Sequence, residues 1–218
     1  MAEFVHLHVH SEYSLLDGAI RLKDLCQRAK DYGMPAVAVT DHGNMHGAVT
    51  FYLMARDMGI KPIIGCEVYV APGGVDEPEA HLVKEGKSGG YHLVLLAMHQ
   101  AGYKNLIKLV SKGYLEGFHY KPRVCKHLLS QYADGLIALS ACLGGEVNQA
   151  LLHKGPDAGE AVAREYADIF PGRFYLEVQA NGLKEQETAN QRLIELAGRT
   201  GLPLVATNDC HYLTCNDV

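Results

Sequence analysis

The sequence predicts an α/β fold, a barrel of about seven strands covered by helices. Three observations predict it. Strand-like and helix-like stretches alternate along all 218 residues. Several of the strands are apolar throughout, as strands buried on both faces are. Polar residues then gather at the C-terminal ends of those strands: His8 and His10 on the first, Asp41 and His42 on the second, Glu67 late in the third, Ser140 and Cys142 on the fifth, and Asn208, Asp209 and His211 on the last. A parallel barrel presents its functional face there, whereas an open doubly wound sheet would collect such groups near one switch point.

Each element has its own signal. FVHLHVH reads as a strand by alternation and would aim His6, His8 and His10 at one face. Leu22, Leu25, Cys26 and Ala29 mark one face of a helix that runs to Tyr32 and stops at Gly33. PAVAVT is a strand, followed by a helix from about Met45 to Met58 that stops at Gly59. PIIGCEVYV is the third strand. The polar, Gly-rich stretch from Gly73 to Gly90 reads as a mobile loop. HLVLLA is the fourth strand, with a helix through Leu106, Ile107 and Val110 behind it, and LIALSAC is the fifth. A helix from about Asp157 to Phe170 stops at Pro171 and Gly172, and RFYLEVQ is the sixth strand. Ala189, Leu193, Leu196 and Ala197 face one side of a further helix, and PLVATND is the seventh strand. His92 departs from the pattern, because it precedes its strand instead of following it.

Composition bounds the function. Hydrophobic residues make up 48% and charged residues 21%, as in a soluble globular protein. The longest apolar runs, such as LVLLAM from Leu93, are too short to span a bilayer, and the N-terminus carries no basic and apolar leader. The cytoplasm is the expected compartment, with no membrane partner. A formal charge of -5 argues against nucleic-acid binding through a broad basic face. Three divalent ions and one thiolate would cancel that charge and concentrate the positive part in one cleft. The six cysteines, Cys26, Cys66, Cys125, Cys142, Cys210 and Cys215, form no C-x-x-C pair and read as free, mostly buried thiols.

The residue types at the strand ends are His, Asp, Glu and one Cys, a set that suits zinc, iron or manganese. A single histidine at a strand end is more often a hydrogen-bonded structural group. The whole set is different, since burying so many titratable groups in one cleft without a metal is too costly. His8 and His10 are two positions apart on one strand, so their rings start about 6–7 Å apart and can converge on one ion. His6 shares that face but lies deeper, in the core or behind the ligands. His46, His81, His99, His119, His127 and His153 have no partner pattern and read as surface residues.

The segments FVHLHVHSEYSLLDG, MPAVAVTDHGNMHGAVTFY, GIKPIIGCEVYV, HLVLLA, LIALSACLGGEV and GLPLVATNDCHYL resemble the PHP (polymerase and histidinol phosphatase) domain of the bacterial replicative DNA polymerase III alpha subunit. They span about residues 4 to 213 in family order. The resemblance implies a distorted seven-stranded, TIM-like barrel holding up to three divalent metal ions. It implies nine ligands: His8, His10, Asp17, His42, Glu67, His92, Cys142, Asp209 and His211. His8, His10, Glu67 and Asp209 would hold one ion. Glu67, His92 and Cys142 would hold a second, and Asp17, His42 and His211 the third. Cys142 would bind as thiolate, which favours zinc somewhat, with manganese or iron as alternatives.

The resemblance further implies residues 1–218 as a single PHP domain, a fragment of a much longer replicative polymerase chain. Its partners would be a DNA 3′ end, the remaining polymerase domains and replisome subunits. The activity expected is phosphodiester hydrolysis, 3′ to 5′, as a proofreading exonuclease, with His10, Glu67 and His211 as the catalytic candidates. No polymerase carboxylate motif is visible, so no synthetic activity is expected. Two other readings use the same residues: a phosphomonoesterase of the histidinol-phosphatase type, and a metal-stabilised structural domain without catalysis.

Overall fold

The computed structural model describes residues 4–15, 17–71, 90–214 and 217. The expected mobile loop therefore lies outside the described residues except for Gly90, as do His81 and Cys215.

Six strands and the N-terminal segment make the barrel. β1 (Ala36–Val39) pairs in parallel with the first half of β2 (Lys61–Val70). The second half of β2 pairs antiparallel with β3 (Tyr91–Ala97), which pairs antiparallel with β6 (Leu136–Leu139). β6, β7 (Phe174–Gln179) and β8 (Leu204–Thr207) continue in parallel. Between β3 and β6, a small hairpin of β4 (Phe118–His119) and β5 (Lys121–Val124) attaches to the end of β2 at Tyr69 and Val70.

The remaining gap is closed by the N-terminal segment. The Ala38 and Thr40 amides donate to the His6 and Val9 carbonyls on one side. On the other, the His10 amide donates to the Cys210 carbonyl, and the Cys210 amide to the His8 carbonyl. This stave was expected as a regular strand, yet only the isolated bridges Val9–Cys210 and Ser11–Ile20 form. Side chains take the place of ladder partners: the Val9 amide donates to Thr40 Oγ1, and the Ser11 amide to an Asp41 carboxylate oxygen. The chain also bends at His8. Leu7 packs inside the barrel while Val9 packs outside it, under the helices. The bend reverses the alternation, so His6 does not share a face with His8 and His10. It sits instead on the outer side, 4.9 Å from the Phe4 ring and 3.6 Å from Cys210 Sγ.

One small cluster fills the barrel interior, and all seven staves contribute to it: Leu7, Ala38, Ile63, Val94 and Leu96, Ile137 and Leu139, Tyr175, and Val205. Two larger clusters lie between the staves and the helices. α1 (Leu22–Asp31) buries Leu22, Leu25, Cys26 and Ala29, the face its spacing predicts, and ends before Gly33, whose φ of 68° is left-handed. α2 (Ala48–Asp57) packs beside it through Phe51 and Ala55. The other face of the barrel is covered by α3 (Gln100–Leu115), α4 (Lys126–Tyr132), α5 (Glu146–Lys154), α6 (Pro156–Ile169) and α7 (Lys184–Thr200). α7 buries Ala189, Leu193 and Leu196. Truncating a fully buried leucine such as Leu193 to alanine would cost about 2–5 kcal/mol.

The sheet is thus mixed, where an all-parallel one was expected. β3 is the antiparallel stave, and this accounts for His92. Because β3 runs against β2 and β6, its first residues lie at the same end of the barrel as the last residues of its neighbours. Tyr69 near the end of β2 pairs with His92 at the start of β3.

Candidate metal centre

All nine expected residues meet at that end of the barrel. His8 and His10 come from the N-terminal stave, Asp17 from the loop that follows, and His42 from the turn after β1. Glu67 lies in β2, His92 starts β3, and Cys142 follows β6. Asp209 and His211 follow β8. Two tight turns aim these side chains. Ala141 and Asp209 both have left-handed φ, 61° and 51°. Aspartate tolerates that region and alanine does so at a cost, a form of strain that clusters at functional sites. Gly145 follows Cys142 because a Cβ there would stand 2.1 Å from the Ser140 carbonyl oxygen.

The donors fall into three groups, each with its ligand atoms within 4.8 Å of one another: His8, His10, Glu67 and Asp209; Glu67, His92 and Cys142; and His10, His42 and His211. In the first, His8 Nε2 is 3.0 Å from Glu67 Oε2 and 3.2 Å from Asp209 Oδ1, and His10 Nε2 is 3.1 Å from Asp209 Oδ1. In the second, His92 Nδ1 lies 3.0 Å from Glu67 Oε1 and 3.5 Å from Cys142 Sγ. In the third, His10 stands where Asp17 was expected. Asp17 flanks that group, with Oδ2 3.0 Å from His42 Nε2 and 3.9 Å from His211 Nε2. The His10 ring lies between those of His42 and His211, at centroid distances of 4.0 and 4.3 Å.

The residues fit a bound cation. His8 Nδ1 lies 2.7 Å from Glu177 Oε1 and carries the proton, which leaves a lone pair on Nε2. That lone pair faces the carboxylate oxygens of Glu67 and Asp209, an arrangement of acceptors that needs a cation or a second proton between them. In the metal-free chain the proton fills this role. Burial would lower the His8 imidazole, but the charges of Glu177 and Asp209 outweigh burial and hold it well above its usual value. Burial lowers His10. His10 Nε2 and Asp209 Oδ1 are both buried, and neither makes a hydrogen bond although they approach closely. Ligands about 2.0–2.2 Å from one ion stand roughly 3–4 Å apart, as these do.

Glu67 ties the groups together. It is fully buried, its Oε2 faces His8, and its Oε1 faces His42 and His92 at 2.7 and 3.0 Å. Burial would raise its carboxyl, yet His92, His42 and His8 hold it well below the usual range. Cys142 shows the opposite response. Burial, then the charges of Glu67 and Asp209, push its thiol well up, so it is protonated until a cation displaces the proton.

A second layer of residues sets the ligand orientation, and the sequence reading had not assigned it. Glu177 is fully buried in β7 and is held by the Gln179 amide, by the Thr207 hydroxyl and by its own amide's bond to Ser140 Oγ. It fixes the His8 tautomer, as carboxylates behind metal-binding histidines do. Its only sequence signal is one charge inside the apolar run FYLEVQ. Asp41 accepts from the hydroxyls of Ser11 and Ser14. Ser14 Oγ in turn lies 2.9 Å from His10 Nδ1 and accepts from the His42 amide. The serines that follow the histidines therefore position them.

The other histidines follow expectation in part. His46, His99, His127 and His153 are exposed, and His119 is half-buried. Cys26, Cys66 and Cys125 are buried free thiols, and Cys142 and Cys210 are free and partly exposed. Among the described residues no helix is long and apolar enough to cross a membrane.

Comparison with known proteins places this architecture. An amidohydrolase from Chromobacterium violaceum superimposes with a TM-score of 0.62 at 16% identity, over 98% of this chain and 89% of its own. A two-domain protein from Bacteroides vulgatus, described as containing a predicted PHP-like metal-dependent phosphoesterase, superimposes with a TM-score of 0.57 at 16% identity, over 95% of this chain and 51% of its own. The fold class is therefore a TIM-like barrel of the kind found in PHP-like phosphoesterases. The model of the PHP domain family matches residues 6–181, and the chain belongs to that family. Two relatives, the DNA polymerase III subunit alpha of Thermus aquaticus and that of Treponema pallidum, are both 49% identical over 218 and 215 residues. These matches cover 99% and 98% of this chain but only 18% of each relative, so the chain spans less than a fifth of their length.

Proposed function

We propose that the chain is the metal-dependent phosphoesterase domain of a replicative DNA polymerase in the cytoplasm, hydrolysing DNA phosphodiesters from the 3′ end as a proofreading exonuclease. The observation that carries this reading is Glu67, a fully buried carboxylate whose two oxygens face separate donor groups. Groups that would hold adjacent cations on both sides of this carboxylate suit in-line phosphoryl displacement. The choice of DNA as substrate is supported by the polymerase subunits the chain resembles.

In this reading His8, His10, Glu67 and Asp209 would hold one ion, Glu67, His92 and Cys142 a second, and His42, His211 and Asp17 a third, with His10 alongside. The thiolate favours zinc, and the imidazoles and carboxylates also suit manganese and iron. A metal held there would supply a water activated at neutral pH and offset the charge gathering on the phosphoryl oxygens. The chain's own groups prepare the site. Glu177 and Ser14 keep the His8 and His10 lone pairs aimed inward. His211 Nδ1 donates to the Asp209 carbonyl oxygen, so Nε2 keeps its lone pair to hold an ion or, once it has taken up a proton from solvent, to donate that proton to the leaving oxygen. His211 is partly exposed while His10 and Glu67 are buried behind it, so a strand end entering the cleft meets His211 before either of them.

Elemental analysis of the chain purified without added metal, paired with cleavage of a single-stranded oligonucleotide labelled at its 5′ end, tests this reading. Bound zinc, manganese or iron and a ladder shortening from the 3′ end are expected, and both should be lost in His8→Ala. Turnover of a small phosphate monoester with the oligonucleotide left intact would make the chain a phosphomonoesterase. Metal-dependent melting without hydrolysis of either would make the centre structural. Undiminished cleavage by His8→Ala would mark a contaminating nuclease.

A further inference from the structure

Val124 of β5 joins the core, but the exposed tip of the β4–β5 hairpin is not explained by the metal centre or by the core. It carries Phe118 and Tyr120, which are 58% and 76% exposed, and Tyr114 at the end of α3 is 41% exposed beside them. The Tyr114 and Phe118 rings stack at a centroid distance of 6.1 Å, and His119 meets Tyr120 edge-on at 4.5 Å. Because His119 pairs with Lys121, Tyr120 forms the turn alone, with a left-handed φ of 55°. Glycine or asparagine would hold that conformation with less strain. A bulky ring displayed there, mostly in water, contributes nothing to the fold that a smaller residue would not.

The hairpin is continuous with the cleft. Pro122 packs against Gly43, next to His42, where a Cβ would stand 2.8 Å from Pro122 Cγ. Lys121 Nζ stands 5.4 Å above the Tyr69 ring, and that ring lies 5.3 Å from the His92 ring. Lys121 is exposed. The sequence of groups leading out of the cleft is therefore His92, Tyr69, the Lys121 ammonium, then the exposed rings of Tyr120, Phe118 and Tyr114. A cation followed by spaced, solvent-facing aromatic rings is the surface that single-stranded nucleic acid uses, with bases stacked on rings and phosphate on the cation. A net charge of -5 argues against holding duplex DNA through a broad basic face. Stacking would have to supply most of its hold on a strand.

We infer that the β4–β5 hairpin, with Tyr114, is a stacking platform that binds an unpaired single strand and leads its end into the metal cleft. This inference rests on the phosphoesterase reading for the fate of the strand, and it adds the residues that bind it.

Binding can be measured without turnover. A fluorescein-labelled oligo(dT) of about 12 nucleotides is titrated with the chain in chelator, and anisotropy is read. The single strand should bind more tightly than a duplex of the same length. Tyr120→Gly, which suits the left-handed turn and so does not threaten folding, should weaken the single strand about 5-fold or more. Phe118→Ser should do the same, and Lys121→Glu should weaken binding further at low salt than at high salt. Unchanged affinity in all three variants, or equal affinity for duplex, would overturn the proposal and leave the exposed rings as a contact for another protein surface. Failure of the unmutated chain to hydrolyse any phosphate ester would sink the phosphoesterase reading, while the anisotropy result would still decide whether the platform binds a strand.

Discussion

The two sides of the cleft differ in enclosure. On one side the side chains of His8, His10 and Glu67 are fully buried and that of Asp209 is 18% exposed. On the other, the side chains of His42 and His211 are 14% and 22% exposed and that of Asp17 is 51% exposed. The buried side has its tautomers fixed by Glu177 and Ser14, so its geometry exists before any ion arrives. The open side depends on a loop aspartate that solvent competes for. A preorganised group loses less entropy on binding and excludes water better, so an ion should be held tightly at the first and exchange readily at the second.

The largest effect should follow Glu67→Ala, which removes the shared member of two groups. Leaving His8, His42 and His92 without their common carboxylate should destabilise the metal-free chain by about 3–5 kcal/mol, read from denaturant melts. Phosphodiester cleavage should fall by about 10²–10³-fold. Retention of the ion among His8, His10 and Asp209 in this variant would break the comparison. Glu177→Gln comes next. It touches no ion, yet by loosening the His8 tautomer it should weaken the tightest site about 10–100-fold, measured by competition with a chelating dye.

Acid should also act on the enclosed side. Burial would raise the Asp209 carboxyl, but the charge on His8 and the contact with His10 hold it at about 2, below its usual 3.8. The folded value is the lower one, so the stabilisation is complete above about pH 4 and is lost as pH falls through about 2. The amount involved is about 2 kcal/mol in the metal-free chain. Urea melts at stepped pH would show it, and a flat profile between about pH 4 and 2 would contradict it. The smallest effect should be that of Asp17→Asn. It should strip one loosely held ion while the ion among His8, His10, Glu67 and Asp209 remains, as counted by elemental analysis. Loss of all ions together would mean the two sides are one cooperative site.

Much of this centre was legible in the sequence because its donors sit at strand ends in short, dense segments. His8 and His10 are two apart, His42 follows TD, and Asp209 and His211 flank Cys210. What was not legible depends on contacts between distant segments. His92 looked misplaced because nothing local shows that β3 runs antiparallel; the reversal is set by pairing with β2 and β6. The bend at His8, which turns His6 outward, comes from hydrogen bonds to Thr40 and Asp41, some thirty residues away. Glu177 passed as an ordinary strand charge, since its partners His8 and Thr207 come from opposite ends of the chain. The β4–β5 hairpin was missed because its strands are very short and contain Pro122, which lowers strand propensity.

The measurement that tests the central claim most directly is anomalous diffraction from crystals of the chain grown with zinc or manganese. The account predicts adjacent peaks, the strongest among His8, His10, Glu67 and Asp209, with further ones among Glu67, His92 and Cys142 and beside His42 and His211. A cleft without anomalous density after soaking, with His8 Nε2 still at hydrogen-bond distance from Glu67, would contradict it.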